Sequence, residues 1–81
     1  MSPRDTKVLA AYAALTVDDP EGAWNPYHYV VIAAVGGDPN GAYVSCKALK
    51  GRGLLACNGR QGASLASSPA YWATDAGLAL S

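Results

Sequence analysis

The chain has no phenylalanine, one isoleucine, one methionine and one histidine among its 81 residues. Bulk for a core must come from eight leucines, six valines, five tyrosines and two tryptophans, because 16 of the apolar residues are alanine. An interior built that way is near the smallest that sustains a fold, and it has no room to enclose a large cofactor. No cofactor is expected. Cysteine is scarce as well: Cys46, Cys57 and the lone His28 cannot supply the Cys/His set of a structural zinc site. No metal is expected either, and the two thiols read as reduced packing groups in preference to a disulfide staple. Long apolar runs are missing. The best, residues 8–17, falls well short of the roughly 18 residues that cross a bilayer and leads into an acidic loop, so it reads as an amphipathic helix and not as a leader. The expected location is cytoplasmic. Charge is the last shortage, since six basic and six acidic residues cancel to zero. With only 15% of residues charged and hydrophobic clusters throughout, a highly charged disordered tail is excluded, and the zero balance weighs at first sight against nucleic acid.

What is present is punctuation for helices. Ser2-Pro3-Arg4-Asp5 combines a capping serine, a proline suited to the first helical position and an acid at the positive end of the helix dipole. Val8, Leu9, Tyr12 and Leu15 follow at helical spacing, and Asp18-Asp19-Pro20-Glu21-Gly22 stops the helix near Val17. Asn25-Pro26 repeats the cap-then-proline signal ahead of a stripe of Tyr27, Val30, Val31, Ala34 and Val35, closed by Gly36-Gly37. The β-branched run Val30-Val31-Ile32 leaves a strand as a competitor there, with helix preferred because both ends are punctuated. Asp38-Pro39 opens a third helix over 39–50, with Val44, Ala48 and Leu49 expected inward and Tyr43 and Cys46 flanking. Leu54-Leu55-Ala56-Cys57 reads as a short buried strand, residues 59–70 as a loose hairpin tip, Tyr71-Trp72-Ala73 as the returning strand, and Thr74-Asp75 as the cap of a last helical stub.

Three helices, a two-stranded hairpin over 54–73 and a stub make an α+β chain that resembles a small winged helix-turn-helix domain spanning residues 1–81. The likeness is sharpest in Ala48-Leu49-Lys50-Gly51-Arg52-Gly53-Leu54-Leu55, similar to the end of a recognition helix and its turn into the wing. It returns in Tyr71 to Leu80, similar to the far wing strand and the helix after it. Both pieces resemble those of MarR and PadR bacterial regulators. The chain departs from those families in lacking their long terminal dimerisation helices, in carrying Ala73 where a large residue is usual, and in a Gly/Pro-rich stretch before the third helix. The resemblance implies a transcriptional regulator whose third helix enters the major groove of double-stranded DNA while the wing braces the backbone.

The distribution of charge agrees with that implication. Residues 1–38 carry two basic and five acidic side chains, residues 39–81 four basic and one acidic, so a neutral total divides into −3 and +3. Lys47, Lys50, Arg52 and Arg60 are then the candidate phosphate contacts, Asn40 and Ser45 the candidate base readers, and Gln61 a wing-tip contact. Few contacts are available to one such module, which points to a homodimer.

Catalysis finds no support: Ser45, Cys46 and a distant His28 form no nucleophile-base pair, and the glycines make no phosphate loop. No catalytic residue is assigned and an enzyme is not expected. The rival reading is a small phage or mobile-element protein that binds and inhibits a host protein, for example a CRISPR or other nucleic-acid-processing complex, since fold does not fix function. Its partner surface would combine Asp18, Asp19 and Glu21, mimicking phosphate, with Trp24 and Tyr27 as aromatic anchors. No membrane association is expected.

Overall fold

Helix α1 runs from Pro3 to Asp18, with the Ser2 hydroxyl accepting a hydrogen bond from the Asp5 amide at 3.1 Å. The structure, a computed structural model, describes residues 1–57 and 69–81. Val8, Leu9 and Tyr12 are buried as their spacing predicts, Leu15 is half-buried, and Thr16 joins the inner side. Thr16 is there for a polar reason: its hydroxyl accepts from the amide of Ala73 at 3.0 Å and so ties α1 to the hairpin.

Helix α2 (Tyr29–Ala34) is shorter than its sequence signal and starts later. The segment is helical, which resolves the competition with a strand. The Asn25 carboxamide is used up locally, accepting from the Tyr27 amide at 2.8 Å in an Asx-type turn, and the cap passes to His28, whose Nδ1 accepts from the Val30 amide. Trp24 explains why the chain cannot turn into a helix sooner. Its backbone pairs with Tyr71 through two hydrogen bonds of 2.9 and 2.8 Å, a bridge that holds residue 24 extended against the sheet.

Helix α3 (Pro39–Gly51) is capped by Asp38, whose carboxylate accepts from the Asn40 amide. Its orientation corrects the expectation that Val44 and Ala48 point inward. The buried face is Gly41, Ala42, Ser45, Cys46 and Leu49; Val44 is 51% exposed and Ala48 is exposed. The physical reason is packing against α1, the helix with which α3 shares most contact. Small residues let two backbones approach closely, and Tyr12 then fills the space a larger α3 residue would need.

Strands β1 (Leu55–Cys57) and β2 (Tyr71–Ala73) pair antiparallel, Leu55 opposite Ala73 and Cys57 opposite Tyr71. Tyr71 and Ala73 take the core face while Trp72 sits half-exposed on the other. Gly53, at φ 76°, makes the left-handed exit from α3 that a side chain would disfavour. Helix α4 (Asp75–Leu80) starts at the expected Thr74 cap, whose hydroxyl accepts from the Gly77 amide and donates to the Gly53 carbonyl at 2.7 Å. At Gly77 a Cβ would collide with the Leu54 carbonyl oxygen, so only glycine lets α4 lie this close to the approach to β1.

The result is the expected α+β winged-helix arrangement: three helices, a two-stranded wing and a short closing helix. One core joins them, with Tyr12, Leu9, Leu49, Leu55, Val8 and Val31 as its largest fully buried members.

Candidate functional site

Once the inner face of α3 is committed to α1, the outer face is fixed by the helical repeat. Asn40, Tyr43, Val44, Lys47, Ala48 and Gly51 are all exposed and recur at intervals of three and four, which places them in one stripe. Lys50 flanks the stripe in the last turn, where a cation suits the negative end of the dipole, and Arg52 is the exposed C-cap residue. Lys47 lies with its Nζ 5.4 Å from the centroid of the Tyr43 ring, a cation–π pairing that holds both side chains against the helix surface. A shallow hollow joins this face to the wing root, lined by Tyr43, Lys47, Lys50 and Gly51 on one side and Cys57 and Tyr71 on the other.

Of the seven residues that the sequence nominates for DNA, four come together here: Asn40, Lys47, Lys50 and Arg52. Ser45 does not. It is fully buried, and its hydroxyl accepts a 2.8 Å hydrogen bond from Arg4 Nε, so it joins α3 to α1 and cannot reach a groove. Arg60 and Gln61 lie outside the described residues.

The same hydrogen bond brings in a cation that the sequence reading missed. Arg4 reaches across to α3 from the start of α1, and Arg4 and Lys7 line a hollow with Ala34, Val35 and Gly36 at the end of α2. The division of charge at residue 38 is therefore a division of sequence and not of surface. No local signal could have shown this, because Arg4 and Ser45 are 41 residues apart.

On the other candidate surface, Asp18, Asp19 and Glu21 are exposed at the end of α1, with Asp19 Oδ1 accepting from the Glu21 amide. Tyr27 is 63% exposed and lies in the turn before α2, outside the apolar stripe in which its spacing had placed it. Tyr29, 79% exposed, stacks on His28 with ring centroids 4.6 Å apart. Trp24 behaves differently: it is half-buried, bridged to Tyr71, and its carbonyl accepts the Tyr12 hydroxyl at 3.0 Å. It is part of the scaffold under this surface.

Below the wing root sits a buried titratable cluster. Cys46 Sγ donates to the Tyr12 hydroxyl at 3.5 Å, and the rings of Tyr12 and Tyr71 meet edge to face. Burial pushes the Cys46 thiol up to about 11, against a smaller opposing effect of the Tyr12 hydrogen bond. Burial also raises Tyr12 and Tyr71 well above the usual phenol range. These groups hold their protons at neutral pH and serve packing. Both cysteines are free thiols. Among the described residues no group of three or more His, Cys, Asp or Glu side chains could hold a metal ion, and no helix is long and apolar enough to cross a membrane. No family model, curated protein or solved structure matches the chain.

Proposed function

We propose that this chain binds double-stranded DNA, as a small regulator whose α3 enters the major groove while the wing root approaches the backbone. The observation that carries this reading is the outer stripe of α3, clear of the core, with Lys47, Lys50 and Arg52 clustered toward its exit and the hairpin beside it. In this arrangement the three cations neutralise phosphates and Asn40 offers a carboxamide to base edges. Arg4 and Lys7 extend the cationic surface toward the start of α3. One α3 makes few contacts, so a homodimer placing two helices in successive grooves is part of the proposal.

Salt-dependent binding to duplex DNA tests it. Affinity should fall steeply as salt rises, and Lys50→Ala combined with Arg52→Ala should flatten the dependence by about two counterions. A folded protein that binds no duplex at low salt would overturn the proposal.

A second reading is favoured by one observation: Tyr27 and Tyr29 expose most of their area, a few residues along the chain from the exposed acids Asp18, Asp19 and Glu21. Aromatic anchors near acids suit a basic protein partner, as an inhibitor of a nucleic-acid-processing complex would need. Changing Asp18, Asp19 and Glu21 to amides should then abolish capture of that partner while leaving DNA affinity unreduced.

A further inference from the structure

We infer that the outer face of α3 selects A·T base pairs, and that it does so chiefly through the thymine methyl group. The inference rests on the DNA-binding reading above and names which duplex that site takes. It starts from what the stripe contains. Asn40, Val44 and Ala48 follow one another at intervals of four residues, a row about 12 Å long at 1.5 Å per residue. Such a row spans three to four stacked base pairs.

Each member of the row has a preferred partner on a base edge. A carboxamide at the Asn40 position matches adenine, accepting from N6 and donating to N7. The branched methyls of Val44, half-exposed, and the methyl of Ala48 have nothing to offer a donor or acceptor, but they can bury the C5-methyl of thymine, the one apolar group on the floor of the major groove.

What the stripe omits is equally informative. It has no arginine to grip guanine O6 and N7 as a pair, and no aspartate or glutamate to accept from cytosine N4. Its one cation, Lys47, is drawn over the Tyr43 ring and away from the row. Arg52 lies past the end of the helix, where phosphate is the nearer target. A G·C pair brought against Val44 and Ala48 would have its polar groups stripped of water with no replacement partner.

The test uses the full chain and four duplexes of equal length and charge, read by fluorescence anisotropy at low salt. They are alternating adenine-thymine, the same with uracil for every thymine, alternating guanine-cytosine, and that sequence with 5-methylcytosine. Uracil removes only the methyl, and 5-methylcytosine restores only the methyl. We expect the thymine duplex to bind at least tenfold tighter than the guanine-cytosine duplex. Replacing thymine by uracil should lose about fourfold for each contacted methyl, the value of burying one such group, and 5-methylcytosine should recover part of the deficit. Val44→Ser, at an exposed position that does not threaten the fold, should shrink the thymine-uracil difference by about fourfold, leaving the share of Ala48, and keep the salt dependence. Equal affinity for all four duplexes, with steep salt dependence intact, overturns this inference and leaves the DNA reading standing. No binding to any of them, from protein that is folded by circular dichroism, overturns both.

Discussion

The two faces of α3 differ in almost every physical respect. The inner face is glycine, alanine, serine, cysteine and leucine, sealed against α1; the outer face is asparagine, tyrosine, valine, lysine and alanine, in water. Hydropathy separates them on average but misplaces two neighbours, since valine lies outside and serine inside. What separates them is size and pairing. The inner residues are small enough to admit Tyr12, and the one polar group among them is matched to Arg4. Substitutions inside should therefore change stability, and substitutions outside should change binding.

The largest effect is expected at Leu49, fully buried where α3 meets the core. Leu49→Ala removes its contacts and leaves a cavity that so alanine-rich a core cannot collapse to fill, which costs about 2–5 kcal/mol. For a chain of this size that is a large share of the total stability, and chemical denaturation should show it as a much lower midpoint. Tyr12→Phe should come next. It keeps the ring against Tyr71 but leaves the Trp24 carbonyl and the Cys46 thiol without their partner, a loss of about 1–3 kcal/mol. The readout is again the denaturation midpoint, and a smaller loss than that of Leu49→Ala is the expected ranking.

A third test uses pH. In the unfolded chain the Cys46 thiol ionises near its ordinary 9.0, whereas in the fold it holds its proton to about 11. The stability it contributes is present in full below pH 9 and is lost as pH rises from 9 toward 11. Tyr12 and Tyr71, also raised by burial, act in the same direction above pH 10. Unfolding followed across pH 8–11 should show this decline. In Cys46→Ala it should be shallower between pH 9 and 10, because the contribution of that thiol is removed.

The difference between the faces also explains what could be read from the sequence and what could not. Ser2, Asp38 and Thr74 cap through hydrogen bonds to amides two or three residues on, and Pro3 and Pro39 act through their own fixed φ, so these helix starts were legible. Tyr71-Trp72-Ala73 was legible for the same reason, as a run of strand formers bounded by turn residues. The orientation of α3 was not, because Val44 and Ser45 are neighbours in sequence and only the approach of α1 decides which of them is covered. Asn25 misled for a related reason: its carboxamide serves a turn as well as a helix, and the Trp24–Tyr71 bridge, 47 residues apart in sequence, selects the turn. In the candidate site, cations grouped along one segment were visible, whereas Arg4 came to α3 only through folding.

The smallest expected effect on stability belongs to Tyr43, and it bears most directly on the outer face. Tyr43 is 42% exposed on the outer face of α3, so Tyr43→Ala should change stability by no more than about 0.5 kcal/mol. Its consequence should lie elsewhere. The ring holds the Lys47 ammonium at 5.4 Å and thereby keeps it off the Asn40–Val44–Ala48 row. Without the ring, Lys47 is free to swing across that row and donate to guanine O6 or N7. Tyr43→Ala should therefore narrow the gap between adenine-thymine and guanine-cytosine duplexes by raising affinity for the second, with the salt dependence on that duplex falling by about one counterion as Lys47 exchanges a phosphate for a base edge. A variant that instead weakened binding to both duplexes equally would mean that Tyr43 itself touches DNA and that the pairing with Lys47 has no part in selection.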